Sequence, residues 1–347
     1  MVEVVNKHLL KSALVIALAG CASEPVQQAS NRPQPVITPI AKMPVLPPLE
    51  PYPQTKMPEP DFYSYSAGAL TGTYADYPAL HTFIKHMVQT HGFSETYLNG
   101  LFSEANRLES VIRLESPAPY KGPSKPRSGS WTRYRNKFLT DAHINNGVEF
   151  WRDHAFAIQR ASSTYGVDPE YIVAIIGVET YFGKNIGKTR IFDALTTLAF
   201  DTHRRSKFFT SELENYLLMT REEGYEPRKP VGSWAGAMGL GQFMPSSFRK
   251  LAVDFDNNGR RDIWQPDDAV GSVAHYFSRS GWHFNSPVAY QTHAVNDSAV
   301  IALSTYEGNE YWRVHPNFKV IKRYNNSDKY AMAVHQLAQA IKRRYQG

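Results

Sequence analysis

Residues 171–183, Tyr-Ile-Val-Ala-Ile-Ile-Gly-Val-Glu-Thr-Tyr-Phe-Gly, join a long apolar run to a single carboxylate. Ile172, Ile175, Ile176 and Glu179 recur at positions i, i+3, i+4 and i+7, so a helix places them along one stripe. The segment therefore predicts a helix with its apolar stripe toward the core and Glu179 on the same face.

Glu179 stands at the end of that stripe, and two interpretations of it are open. Glutamate is rarely buried, and loss of water raises its pKa toward the range in which a general acid works. The alternative is an acid that leans into solvent and forms a structural ion pair with Lys184 or Arg190, since such pairs also perturb carboxylates.

The N-terminus has the pattern of an export signal. Lys7 and Lys11 precede or flank an apolar run over residues 12–20 that is too short to span a bilayer and suits a signal peptide. The run ends at Cys21, the only cysteine of the chain, and the junction resembles the lipobox of bacterial lipoproteins. We expect Cys21 to be lipidated; the alternative is an ordinary signal peptide cleaved near Ala22.

Residues 22–60 contain eleven of the 23 prolines and no periodic apolar pattern. They predict an extended tether, which at polyproline pitch reaches on the order of 100 Å. Ala22 after the cysteine resembles lipoproteins sorted to the outer membrane, so the expected location is that membrane, facing the periplasm. A net charge of +6 without a basic stripe disfavours nucleic acid as a partner.

The remainder predicts an α+β fold that is predominantly helical. Helices are expected at 78–89, at 95–107 after an N-cap at Ser94, and at 146–165, ended by Gly166. Asp168 and Pro169 open the next helix, which carries Glu179. Helices extend to about 283; alternating runs at 287–295, 300–306 and 318–324 then predict a small antiparallel sheet, within a subdomain placed at 284–318, and a last helix at 329–345.

A glycine-rich stretch at 232–247, Gly-Ser-Trp-Ala-Gly-Ala-Met-Gly-Leu-Gly-Gln-Phe-Met-Pro-Ser-Ser, permits close approach of the backbone to a ligand. It does not have the spacing of a phosphate-binding loop. It is either a tightly turned core loop or a cleft wall. In a cleft wall, Ser233 and Gln242 would supply hydrogen bonds, and Trp234 and Phe243 apolar faces, as in a carbohydrate site.

Residues 254–268 resemble an EF-hand calcium loop, with glycine at the sixth position. Position 12 is Gln265, which cannot give the usual bidentate carboxylate, whereas Asp268 could do so in a slightly longer loop. The alternative is an acidic turn without metal. Oxygen ligands would come from Asp254, Asp256, Asn258 and Asp262.

No H-E-x-x-H or G-x-S-x-G motif occurs, so metallohydrolase and serine hydrolase activities have no support. Taken together, the motifs at 177–183, 204–205, 232–247 and 323–334 resemble those of the lytic murein transglycosylases. The resemblance runs from about residue 62 to the C-terminus. It implies a lysozyme-like core with an added helical domain and a small β domain, and cleavage of the MurNAc to GlcNAc β-1,4 bond of peptidoglycan.

The resemblance also assigns roles by position. Glu179 would be the catalytic acid and base, with Ser233 beside it; Arg204 and Arg205 would face peptide or lactyl carboxylates. Calcium would have a structural role, and no organic cofactor is expected. The glycan subsites would be lined by Tyr134, Gln242, Phe243, Tyr276, Tyr324, Asn325 and Tyr330. The calcium ligands would be Asp254, Asp256, Asn258, the carbonyl of Arg260, and Asp268. The region between 282 and 317 looks shorter than the usual β domain of the family.

The mechanism implied by the resemblance needs one carboxyl group, which acts as acid and then as base while the C6 hydroxyl of MurNAc closes on C1. Two rival functions stay open. A lysozyme-type hydrolase would need a second carboxylate, for which Asp193 and Asp201 are the candidates. A non-catalytic, calcium-stabilised lipoprotein would bind the cell wall without cleaving it. We expect a monomer.

Overall fold

The computed structural model describes residues 65–116 and 128–347. The predicted signal peptide, Cys21 and the proline-rich tether lie outside the described residues. Within them, no helix combines the length and the apolar character that crossing a membrane requires.

The described residues form thirteen helices and five short strands. The helices are α1 Pro78–His91, α2 Glu95–Ser103, α3 Glu109–Glu115, α4 Ser130–Arg135, α5 Asp141–Asp153, α6 Ala155–Tyr165, α7 Pro169–Thr180, α8 Ile191–Phe200, α9 Ser206–Glu223, α10 Pro245–Leu251, α11 Pro266–Arg279, α12 Pro316–Tyr324 and α13 Asp328–Gln346. The strands are β1 Thr189–Arg190, β2 Val231–Gly232, β3 Ala289–Gln291, β4 Val300–Ser304 and β5 Asn309–Val314.

Helix α7 lies in the centre of the core. Every residue from Glu170 to Gly177 is buried, and α5, α6, α11 and α13 pack around it. Glu179 falls in the last turn, where the helix leaves the interior. The surrounding helices therefore enclose the apolar part of α7 and leave its C-terminal end at the edge of the core.

Local start and stop signals place several helix ends correctly. The Ser94 side chain accepts a hydrogen bond from the Tyr97 amide and caps α2. Gly166 ends α6 in the left-handed conformation, with φ 63°. Asp168 precedes α7, but its carboxylate accepts hydrogen bonds from Trp282 and Asn285 instead of capping the helix. Asp168 thereby ties the start of α7 to the segment after α11.

Three predicted elements are wrong in detail. The helix at 146–165 is two helices, which meet at His154. The helix at 95–107 ends at Ser103, because the residues after it turn to bond α8: the Asn106 amide donates to Asp193. The alternating run at 318–324 is not a strand but most of α12, whose buried residues Phe318 and Ile321 have helical spacing after a proline start.

The predicted small antiparallel sheet exists, with a different third strand. β5 lies in the centre of the order β3-β5-β4, and Trp312 pairs with Gln291 on one side and Ile301 on the other. The sequence does not predict β5, because Asn-Glu-Tyr-Trp-Arg-Val alternates only weakly between apolar and polar residues. In the structure this strand is only partly buried. The sheet contacts α4, where the Gly129 amide donates to the Thr305 carbonyl.

Candidate active site

Glu179 lies at the boundary between core and surface. Its side chain is partly exposed, and its Oε1 accepts a hydrogen bond of 2.5 Å from the hydroxyl of Tyr330 on α13. Burial raises the pKa of the Glu179 carboxyl to about 7, and the Tyr330 hydrogen bond opposes part of that rise. Close to neutral pH this group can therefore donate a proton as an acid and accept one as a base.

The structural ion pair considered for Glu179 is absent from the described residues. Lys184 donates to the Asn146 side chain at 2.7 Å and lies over the ring of Tyr181. Arg190 pairs with Asp193 at 3.5 Å. Both cations that could have neutralised Glu179 are thus engaged elsewhere, which leaves burial as the main cause of its raised pKa.

Five aromatic side chains, from four helices and from the segment before α10, lie near Glu179 or contact a tyrosine that does. Burial first, and then the negative charge of Glu179, raise the pKa values of Tyr134, Tyr324 and Tyr330, so all three hydroxyls lie within electrostatic reach of the carboxylate. The Tyr324 ring lies 4.6 Å from that of Tyr276 and 6.1 Å from that of Phe243. We call these five residues, Tyr134, Phe243, Tyr276, Tyr324 and Tyr330, the aromatic cluster.

The turn after α7 is held in a strained conformation. Tyr181 and Phe182 adopt left-handed φ values of 53° and 59°, which side chains other than glycine rarely take. The Thr180 hydroxyl accepts from the Gly183 amide at 3.0 Å and donates to the Leu240 carbonyl at 2.9 Å. Strain of this kind persists only where surrounding contacts fix the backbone, and it concentrates at functional sites.

The glycine loop, residues 232–243, is held at both ends, by β1 at its start and by Thr180 and Tyr324 near its end. At its start, β2 pairs with β1, with Gly232 opposite Thr189. Near its end, Thr180 bonds Leu240, and the Tyr324 hydroxyl donates to the Gly241 carbonyl at 2.6 Å. A Cβ at Gly241 would lie 2.9 Å from that hydroxyl, so a larger residue here would have to displace the Tyr324 side chain.

Ser233 and Gln242 bond backbone groups of the loop, and Gln242 also bonds Ile186 outside it. The Ser233 hydroxyl accepts from the Ala237 amide at 3.0 Å. Gln242 adopts a left-handed φ of 52°. Its side-chain nitrogen, Nε2, donates to the carbonyls of Gly239 and Ile186. These bonds shape the loop beside Glu179, and a role of either side chain toward a ligand stays a prediction.

Neither candidate for a second carboxylate contacts Glu179. Asp193 accepts from the amide of Asn106 and pairs with Arg190, and Asp201 accepts from the Tyr77 hydroxyl at 2.9 Å. No acidic side chain contributes to the pKa shift of Glu179, whose causes are burial and Tyr330. Within the described part of the chain, Glu179 is therefore the single acidic group of this site.

Arg204 and Arg205 lie outside this cluster of contacts. Both pair with the buried Glu115 of α3, at 2.9 and 2.7 Å, and thereby attach the loop before α9 to that helix. Their predicted role toward carboxylates of a substrate stays a prediction. Asn325 follows α12 next to Tyr324 and is exposed.

The sequence does not identify the residues that hold the turn after α7 in place, Thr180, Tyr181 and Asn146. The side chain of Asn146, on α5, donates to the Tyr181 hydroxyl at 2.5 Å and accepts a hydrogen bond from Lys184. A cavity of about 470 Å³ lies against this turn, with Asn146, Phe182 and Leu240 in its wall, and Glu179 is not part of that wall. A left-handed Tyr-Phe pair has no signature in sequence.

Three of the predicted calcium ligands converge. Carboxylate oxygens of Asp254, Asp256 and Asp268 lie within 4.8 Å of one another. Burial raises the pKa of Asp268 to about 6, against the opposing effect of backbone amides that donate to it. No Lys or Arg of the described residues pairs with Asp256 or Asp268. Three convergent carboxylates, two of them buried, fit a divalent cation with a preference for oxygen ligands.

Fold and site together define a class of enzyme, and comparison with known proteins identifies it. A family model described as the transglycosylase SLT domain matches residues 75–302 and 291–339. The chain belongs to this family. Membrane-bound lytic murein transglycosylase B of Escherichia coli is 43% identical over an alignment of 305 residues, and the match covers 78% of this chain and 84% of that relative.

Solved structures of relatives have the same fold. A lytic transglycosylase of Escherichia coli in complex with bulgecin A is 40% identical with a TM-score of 0.74, and the match covers 84% of this chain and all of the other. A structure described as an Escherichia coli lytic transglycosylase in complex with calcium is 41% identical, with the same TM-score and coverage. The predicted helical, lysozyme-like α+β fold is confirmed.

Proposed function

We propose that the chain is a lytic transglycosylase that cleaves the MurNAc to GlcNAc β-1,4 bond of peptidoglycan and leaves a 1,6-anhydroMurNAc end. The observation that carries this proposal is Glu179: one carboxyl group with a pKa near 7 and no acidic partner. A hydrolase of the usual kind places two carboxylates across the bond. Membership of the transglycosylase family supports the same activity.

In this reaction Glu179 acts twice. The protonated carboxyl donates to the glycosidic oxygen as the C1–O bond breaks. The resulting carboxylate then accepts the proton of the C6 hydroxyl of the same MurNAc, whose oxygen bonds to C1. Because the nucleophile belongs to the substrate, proximity supplies much of the rate and no positioned water is required. The Tyr330 hydroxyl stabilises the carboxylate between the two transfers.

The aromatic cluster is proposed to line the glycan subsites together with Gln242 and Asn325. Aromatic faces stack on sugar rings, and tyrosine hydroxyls and amides bond sugar hydroxyls. Ser233 lies at the start of the glycine loop and is proposed to act beside Glu179. Arg204 and Arg205 would meet carboxylates of the stem peptide or the lactyl group only if substrate displaces part of their bonding to Glu115.

Calcium is proposed to stabilise the 254–268 loop without taking part in the reaction. Asp254, Asp256, Asn258, Asp268 and the Arg260 carbonyl would hold the ion. Calcium bound only by the folded state raises the melting temperature. We expect a rise of several degrees in millimolar calcium over chelator, and a much smaller rise in Asp256→Asn, with Asp267→Asn as the neighbouring control. An equal rise in both variants would refute this assignment.

The chain is further proposed to be a monomeric outer-membrane lipoprotein attached through Cys21. The lipobox-like junction and the proline-rich tether support this, as does the membrane-bound relative. A Cys21→Ser chain should move from the membrane to the soluble fraction. Retention of that variant in the membrane would argue against lipid attachment at Cys21.

The role of Glu179 is tested with Glu179→Gln, which keeps the size and polarity of the side chain. We expect cleavage of purified sacculi to fall at least a thousandfold, since loss of the acid-base group removes both proton transfers. Binding of sacculi should stay within about threefold of wild type. Loss of binding together with cleavage would instead indicate a misfolded site.

A further inference from the structure

Two histidines and a glutamate converge on the surface, on helices far along the chain from Glu179. His86 and His91 belong to α1, and Glu214 belongs to α9. The Nε2 atoms of His86 and His91 lie 3.3 and 2.7 Å from the same oxygen, Oε1 of Glu214. One donor atom from each of the three residues falls within 4.8 Å of the other two.

This spacing is close to that of ligands on one metal ion. Atoms bound to zinc at about 2.0–2.2 Å in a tetrahedron stand roughly 3.3 Å apart. The two rings are nearly perpendicular, at 89°, with centroids 5.5 Å apart, so they are not stacked on each other. Small adjustments of three surface side chains would bring all three donor atoms to bonding distance.

A second observation concerns the far side of the His86 ring. The Thr90 hydroxyl lies 3.2 Å from Nδ1 of His86. If Nδ1 carries the proton and donates it to this oxygen, the lone pair of Nε2 is free to bind a metal. Histidine ligands of metals are commonly oriented in this way, by a hydrogen bond from the second ring nitrogen to a neighbouring acceptor. The side chains of His86, His91 and Glu214 are 45%, 21% and 27% exposed, so solvent can reach the site and supply a fourth ligand.

We propose that His86, His91 and Glu214 form a zinc site that joins the end of α1 to α9. Two imidazole nitrogens and one carboxylate oxygen match the preferences of zinc and exclude calcium and magnesium, which take oxygen ligands. The site is separate from the 254–268 loop in sequence and in ligand type. Its role is structural: the ion holds the N-terminal helices against α9.

The test is titration of the purified chain with zinc chloride in saturating calcium, which fills the 254–268 loop. We expect one zinc ion to bind and to raise the melting temperature by several degrees. His86→Ala, His91→Ala and Glu214→Gln should each weaken binding at least tenfold. The exposed His293 lies outside the cluster, and His293→Ala should bind as wild type does.

Cobalt(II) supplies a readout that does not depend on stability. A cobalt ion held by two nitrogens and an oxygen in a tetrahedral site should give visible absorption in wild type and lose it in His91→Ala. Melting temperatures in chelator verify that each variant is folded. Zinc binding that survives in the triple variant, or no binding in wild type, would overturn the proposal.

Discussion

Two opposing effects set the pKa of the Glu179 carboxyl group. Burial raises it, and the hydrogen bond from Tyr330 lowers it, with a net value of about 7. Because the first step needs the protonated acid, activity should fall as the pH rises through this value. Tyr330 therefore tunes the pH range of the enzyme as well as the lifetime of the carboxylate.

Tyr330→Phe removes that hydrogen bond, so the pKa of Glu179 should rise further. The alkaline limb of kcat/KM should move by about half a pH unit or more to higher pH. The maximal rate should fall roughly tenfold, because the carboxylate formed in the first step loses a charge-assisted bond. A pH profile of sacculus cleavage measures both effects.

Tyr171→Phe is the matched control, since Tyr171 is a buried tyrosine at the other end of α7 that bonds His335. Its profile should coincide with that of wild type. A Tyr330→Phe profile that falls in rate without any movement along the pH axis would contradict the proposed tuning.

How far the sequence predicts this site differs from residue to residue. The position of Glu179 on the same helix face as Ile172, Ile175 and Ile176 follows from their spacing, which is local information. The contact with Tyr330 spans 151 residues of chain, and no periodicity encodes it. The sequence makes Tyr330 one of several aromatic candidates for a sugar site, and the family resemblance places it in the glycan subsites.

Among the elements, α7 and the glycine loop act as one unit through Thr180. Its hydroxyl contacts the Ile176 and Leu240 carbonyls and the Gly183 amide. It thus joins the helix that carries Glu179 to the loop that bears Ser233 and Gln242. Loosening this junction should displace the loop relative to the carboxyl group.

Thr180→Val keeps the shape of the side chain and leaves buried partners unpaired. We expect a loss of about 1–3 kcal/mol in the free energy of unfolding and about a tenfold fall in cleavage. Denaturant unfolding and sacculus digestion give the two numbers.

Thr220→Val supplies the comparison, because Thr220 is equally buried and bonds only the Leu217 carbonyl of its own helix. It should lose less stability and keep wild-type activity. Equal effects of the two substitutions on cleavage would mean that Thr180 has no special part in placing the loop.

The sequence predicts the end of a helix well where a capping serine, a glycine or a proline marks it, and poorly where no such residue is present. Ser94, Gly166 and Pro169 fixed ends of α2, α6 and α7. The run at 318–324 alternates like a strand, yet Pro316 starts a helix there and packing of Phe318 and Ile321 against the core decides the outcome. Tertiary contacts outweighed the local pattern.

At the scale of the whole molecule, groups from distant parts of the chain form one acidic centre with an aromatic wall. Tyr134 comes from α4, Glu179 from α7, and Tyr324 and Tyr330 from α12 and α13. The fold class and the buried helix follow from composition and periodicity. The convergence of these residues does not, because it depends on how thirteen described helices pack.

The central claim is that one carboxyl group performs both proton transfers while the substrate supplies the nucleophile. The most direct test is the mass of the muropeptides released from purified sacculi. The account predicts products lighter by one water than hydrolysis products, because the new end is a closed 1,6-anhydro ring. Products of full hydrolytic mass with a reducing end would contradict it, as would binding of sacculi with no release of muropeptides.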